Sequence, residues 1–218
     1  MSPLIIKLIW SGTLQTLEMV FASTALAVLL GGPMALFLVG TLGPAKLWHV
    51  PAVIPRALGL VIDAVRAVPF IILLVLLIPI TRFIAGTSLG TAAAIVPLTI
   101  AAVPYYARIA ELALAEVDPG LVDAVRAIGG TRMTIIRQVL IPEAMPGLIS
   151  GLTVTLITMV GASAMAGAIG AGGLGDLAIR YGYQRFNTVV MLWVVAVLVV
   201  MVCLIQWGGN WAVKKLRH

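Results

Sequence analysis

Residues suited to covalent chemistry are scarce in this chain. Cys203 is the single cysteine and lies in an apolar run, which reads as packing. His49 and His218 stand far apart, and no His, Cys and Glu cluster at metal-ligand spacing. What remains is the chemistry of recognition. Asp123 to Pro142 is the longest charged stretch in a sequence that is 61% hydrophobic and 10% charged. Asp118-Pro119 opens a helix there, aspartate as cap and proline at the first position. Gly129-Gly130 closes that helix over 120–128, Thr131 caps a second over 132–140, and Pro142 ends it. Met133, Ile136 and Leu140 share one face of the second helix, with Arg132 and Arg137 elsewhere. Helices this short are marginal alone, so they must lean on membrane helices or on another protein. A capped amphipathic hairpin reads as a docking surface rather than a linker.

The other polar residues are embedded in apolar sequence. Asp63 and Arg66, three apart, share a helical face and form a structural pair near a span's end, where arginine can snorkel. Glu18 is placed at the membrane interface, about a turn inside its helix. Thr153, Thr155, Thr158 and Ser163 can bond to their own backbone. Met165 stands among small residues, where its thioether fills a void or projects into a cavity. Gly170-Ala-Gly-Gly-Leu-Gly175 lacks the strand-loop-helix setting and the lysine of a phosphate loop, and is read as a tight re-entrant bend. Arg180, Tyr181, Tyr183, Arg185 and Phe186 follow as a polar-aromatic rim.

The elements that position these residues are membrane helices. A mean hydropathy of +1.14 excludes an ordinary soluble domain. Five windows of about 20 apolar residues fit, at roughly 14–39, 55–80, 84–106, 148–170 and 188–208. They leave one soluble loop at about 107–147 and a single membrane domain over 1–218. Ser23, Ala27, Gly31 and Ala35 recur every four positions, and Gly147 and Gly151 repeat that spacing, so close helix contact is expected. Tyr105 and Tyr106 are placed at the inner end of the third span. The net charge of +6 lacks the aromatic interleaving of a nucleic-acid surface and reports orientation instead. With the N-terminus outside, Lys46, Arg56, Arg108, Arg126, Arg132, Arg137, Lys214, Lys215 and Arg217 fall inside; Lys7, Arg82, Arg180 and Arg185 fall outside. That excess favours N-out, C-in. No removable leader is expected, since no basic flank, short apolar core and cleavage site occur in order.

Asp123-Ala-Val, Gly129, Val139 and Ile141-Pro142 carry a further signal. The spacing resembles the cytoplasmic loop signature of ABC-type importer permeases, with Asp in place of Glu at the first position and Val and Ile in place of Ile and Leu near the end. Arg66-Ala-Val-Pro-Phe-Ile-Ile-Leu-Leu-Val, Gly86-Thr-Ser-Leu-Gly with Ala94-Ile-Val-Pro-Leu-Thr, and Gly170-Ala-Gly-Gly-Leu-Gly with Tyr181-Gly-Tyr resemble the permease subunits of bacterial methionine ABC importers.

That resemblance implies an all-α, five-helix membrane subunit of the type I importer kind in the bacterial inner membrane. It implies a second copy of the chain, two cytoplasmic ATPase subunits that hold ATP and magnesium, and an external substrate-binding protein, with no cofactor in this chain. Asp118, Leu121, Asp123, Ala124, Arg126, Ala127, Gly129, Thr131 and Pro142 become the ATPase-coupling element. Met165, Ser163 and Tyr105 are the expected pathway residues, and methionine, its D-isomer or a related amino acid the expected substrate. The rival is a stand-alone secondary transporter or channel. It should show intramembrane ionisable chains or paired broken helices in repeated halves, and neither is visible in the sequence.

Overall fold

The computed structural model describes residues 3–43 and 46–216; Pro44, Arg217 and His218 lie outside them. Every regular element among the described residues is helical. The long helices are α1 (Pro3–Leu42), α5 (Thr91–Ala115), α8 (Ile141–Ala166) and α10 (Thr188–Leu216). Between them run α2 (Val53–Ala67), α3 (Phe70–Leu76), α4 (Ile78–Ala85), α6 (Pro119–Ala127), the single turn α7 (Arg132–Ile135) and α9 (Gly173–Leu177). α1 packs along α5, α5 on α8, and α8 on α10, while α9 wedges between α1 and α8 where α1 begins. We call that the amino end of the bundle and the opposite one the loop end.

Small residues make the central contacts. Ser23, Ala27, Gly31 and Ala35 are all buried, as their spacing predicts. A Cβ on Gly31 would stand 2.8 Å from the Val103 carbonyl oxygen of α5. One on Gly147 would stand 2.8 Å from the Ala113 Cβ, and one on Gly151 2.5 Å from Ile109 Cγ2. The glycines thus set the distance between backbones, which in a bilayer replaces the hydrophobic drive. α1 continues through Gly31-Gly32-Pro33 without a break. Trp10 and Trp193 are exposed and share a hollow at the amino end, and Trp207 and Trp211 are exposed at the other end of α10. Trp193 to Trp211 is about 27 Å along a helix, close to the thickness of the hydrocarbon core.

Several expectations are corrected. The window at 55–80 is not one straight span: α2 and α3 meet at 103°. Val68 is extended (φ −77°, ψ 125°), the conformation that a following proline imposes, and Pro69 starts the new direction. The third span begins at Thr91, after Gly86 (φ 73°) and Gly90 (φ 90°) turn the chain, and runs past Tyr105 and Tyr106 to Ala115. Tyr106 is buried against the core, not an interface marker. Arg108, expected in the loop, lies on α5 and pairs with Glu111 at 2.8 Å. Pro142 does not end the second loop helix. Ile136–Leu140 widens into a π-turn whose next amide, Ile141 N–H, reaches the Ile136 carbonyl, and α8 follows directly. The wider turn absorbs the amide that proline lacks. Between α5 and α8, chain outside helices therefore shrinks to the caps around α6. Glu18 lies about four turns inside α1 rather than one, because the helix starts at Pro3.

Candidate functional site

The loop end is built as a rigid hairpin. Asp118 Oδ1 accepts the Gly120 amide at 2.8 Å and Pro119 takes the first helical position, as the sequence predicts. Gly129 N–H bonds the Arg126 carbonyl and Gly130 N–H the Val125 carbonyl, both at 2.9 Å. Gly129 has φ +81°, a backbone that favours glycine, with open space where a Cβ would go. Gly130 is the crowded one, since a Cβ there would run into the Val125 side chain. Thr131 Oγ1 accepts the Thr134 amide at 3.2 Å and so caps α7.

Burial divides the hairpin into two faces. Val122 (2% exposed), Ile135, Ile136, Val139 and Leu140 join the main core. Leu121, Asp123, Ala124, Ala127 and Ile128 (85% exposed) are turned away from it. Met133 is exposed too, against the expectation that it shares a buried face with Ile136 and Leu140. Arg126 sits beside the packed face, 3.4 Å from Asp123 Oδ1 and donating to the Lys46 carbonyl at 3.4 Å. α7, the π-turn and α8 form one uninterrupted path from this hairpin into the bundle.

That path leads to a cleft of about 340 Å³ where the α2–α3 bend faces α5 and α8. Arg66, Phe70, Ala101, Tyr105, Thr158 and Met159 line it. Thr158 Oγ1 lies 3.2 Å from Tyr105 Oη and 2.9 Å from the Val154 carbonyl of its own helix. Arg66 and Asp63 pair at 3.3 Å, both side chains more than a third exposed. Met165 stands on the Thr158 side of α8 two turns further on and is 49% exposed. Ser163 is 1% exposed and donates to the Val160 carbonyl at 2.8 Å, so it points into the bundle. The structure thus brings Tyr105 to the cleft, puts Met165 on the same side of α8, and leaves Ser163 apart. Arg66 keeps its pair with Asp63 and Thr158 its bond to the Val154 carbonyl, as the sequence leads one to expect, and both also line this cleft, which no local sequence signal indicates.

At the amino end the glycine-rich segment forms the expected bend. Gly170 (φ 99°), Gly172 (φ 81°) and Gly173 (φ 77°) fold it back on α1. Gln15 Oε1 accepts the Gly173 amide at 2.8 Å, and Thr16 Oγ1 accepts the Leu174 amide at 2.9 Å. These two partners were missed; the only sequence signal was a polar Gln-Thr pair inside an apolar run. Among the described residues no three His, Cys, Asp or Glu side chains gather as metal ligands would. The arrangement can recognise partners and move helices.

Comparison with known proteins agrees with this geometry. Residues 49–217 match the family model of the binding-protein-dependent transport system inner membrane component. A probable D-methionine transport system permease protein MetI of Vibrio cholerae is 46% identical over 211 residues, covering 97% of this chain and 93% of that protein. The methionine import system permease protein MetP of Bacillus subtilis is 46% identical over 165 residues, covering 76% and 74%. An inward-facing structure of the MetNI methionine ABC transporter superposes with TM-score 0.94 at 44% identity over 100% of both chains. An amino acid ABC transporter with histidines, at 24% identity and TM-score 0.79 over 96% of this chain and 94% of that one, shares the fold. The chain belongs to the binding-protein-dependent transport inner membrane component family, as a permease subunit and not an enzyme.

Proposed function

We propose that this chain, one permease domain over its length, is the membrane-spanning subunit of an ATP-driven methionine importer. The observation that carries the reading is the rigid hairpin whose Asp123, Ala124 and Ala127 face outward while its other end runs unbroken into α8. A push on α6 is transmitted through α7 and the π-turn to Thr158 and Met165, because packed helices move as bodies rather than bend. Two ATPase subunits supply that push by binding and hydrolysing ATP with magnesium. The coupling set is Asp118, Leu121, Asp123, Ala124, Arg126, Ala127, Gly129, Thr131 and Pro142. Asp118, Gly129 and Thr131 shape the hairpin as its caps and turn; the outward residues make the contact.

Two copies of the chain enclose the path, each contributing Tyr105 of α5 and Met165 of α8, and an external binding protein delivers substrate at the amino end. The excess of Lys and Arg supports a loop end in the cytoplasm and an amino end outside the bacterial inner membrane. The cleft is mostly apolar with few polar groups, which suits a thioether side chain and weak, transient binding. Specificity among L-methionine, D-methionine and related amino acids then rests largely with the binding protein. A stand-alone secondary transporter is not favoured: the one broken span, α2–α3, has no counterpart in a second half among the described residues.

Labelled methionine uptake into proteoliposomes holding this chain and its ATPase, supplied with the binding protein, tests the proposal. Uptake that requires ATP and is competed by unlabelled methionine supports it. Uptake by this chain alone, without ATP, overturns it in favour of the secondary transporter.

A further inference from the structure

We propose that the hollow between the α1–α2 elbow and the loop hairpin binds the phosphate headgroup of an anionic phospholipid. Lys46, His49, Arg126 and Arg132 line a space of about 400 Å³ together with Leu47 and Ile135. Among the described residues no carboxylate lines it. Asp123 lies beside it and reaches only Arg126, at 3.4 Å. Lys46, His49 and Arg132 make no side-chain hydrogen bond or ion pair among the described residues. Lys46, Arg126 and Arg132 carry like charge and repel one another, and an anion between them reverses the sign of that interaction.

The hollow is held open by the backbone rather than by its charged side chains. Leu47 N–H and Trp48 N–H both bond the Gly40 carbonyl, at 2.6 and 3.1 Å. Leu47 is buried in the core and Trp48 packs against Phe37, ring centroids 6.2 Å apart. Lys46 itself has φ +37°, a backbone that L residues rarely adopt. Arg126 then ties the hairpin to the elbow through the Lys46 carbonyl. The cations are therefore placed before any ligand arrives.

The surroundings select an amphiphile over a bare anion. Leu42 precedes the elbow and Val53 and Ile54 follow it, all three exposed. Acyl chains can cover them while the headgroup meets the cations, as basic pockets between helices at a membrane face do. Asp123, Ala124 and Ala127 of α6 are exposed and do not line the hollow, so that face stays free for a protein partner. The lipid would brace the hairpin from behind and tie its position to α1.

The test is native mass spectrometry of the detergent-purified complex, titrated with phosphatidylglycerol and with phosphatidylcholine. The wild-type complex should retain phosphatidylglycerol selectively. K46Q/R132Q should weaken that retention about thirtyfold, from two lost surface-type contacts, while K214Q/K215Q at the end of α10 should leave it unchanged. Should the double variant fail to assemble, R132Q alone, whose side chain has no partner among the described residues, reads the same effect at about fivefold. Equal retention by wild type and K46Q/R132Q overturns the proposal. So does displacement of the lipid by millimolar inorganic phosphate, which would make the site one for a free anion. Loss of the ATPase subunit from K46Q/R132Q with lipid retention unchanged would assign the hollow to a protein contact and overturn the proposal as well.

Discussion

The Gly173 amide donates to Gln15 Oε1 at 2.8 Å, joining residues 158 positions apart. With the neighbouring Leu174–Thr16 bond, it fastens the glycine-rich bend to α1 just where α9 and α8 meet that helix. Both amides lie at turns that no helix ladder can satisfy, so α1 supplies their acceptors from its side chains.

Thr16→Val keeps the shape and removes the acceptor of a buried amide, Leu174 being fully buried. The expected cost is about 1–3 kcal/mol. It should appear as a lower melting temperature of the purified complex and as faster proteolysis between 167 and 175. An unchanged melting temperature would mean that the bend is held by packing alone.

Gly129→Asp and Gly130→Ala separate coupling from folding. Steric collision within this chain does not explain a defect at Gly129, since a Cβ there meets nothing within 4 Å. Aspartate tolerates the left-handed backbone better than most residues, so Gly129→Asp should fold, yet lose substrate-stimulated ATPase activity because the new carboxylate meets the docked partner. Gly130→Ala should instead reduce the yield of folded protein, because its methyl group meets Val125. Full stimulated ATPase activity in Gly129→Asp would remove the docking role.

Met165→Ala and Ser163→Ala form a matched pair. Met165 is half exposed beside the cleft line and Ser163 is buried with its hydroxyl on the Val160 carbonyl. Met165→Ala should lower methionine uptake severalfold with an unchanged melting temperature. Ser163→Ala should leave uptake intact. The opposite ranking, read in the same proteoliposome assay, would move the path to the other side of α8.

Glu18 is exposed on α1, about 12 Å along the helix from Trp10, with no hydrogen bond or ion pair among the described residues. A carboxylate at that depth is unfavourable in hydrocarbon. Glu18→Leu should therefore raise the melting temperature of the reconstituted complex and preserve uptake. A lowered melting temperature would show that the assembled transporter supplies Glu18 with a partner.

The local features of the hairpin were legible because each is decided within a few residues. Asp118 and Thr131 cap through their own neighbours, and Gly129 takes the left-handed backbone where its helix stops. The small-residue stripe from Ser23 to Ala35 was legible for a similar reason, since four-residue spacing fixes a face and small side chains suit close contact. Pro142 misled. A proline ends a helix unless the preceding turn can widen, and whether Ile136–Leu140 widens depends on how Ile136, Val139 and Leu140 settle into the core.

The sequence by itself determined that this chain crosses a membrane as helices, carries a capped hairpin and shares the spacing of a permease family. Apolar run length, capping chemistry and residue spacing are local properties, and they survive without knowledge of the fold. Only the tertiary structure decided that the second span breaks by 103°, that Arg66 and Tyr105 meet at one cleft while Ser163 turns away, and that Lys46 stands beside Arg126 and Arg132. Those relations join residues far apart in the chain. They follow from which helix faces pack together, an outcome that residue order constrains but does not state.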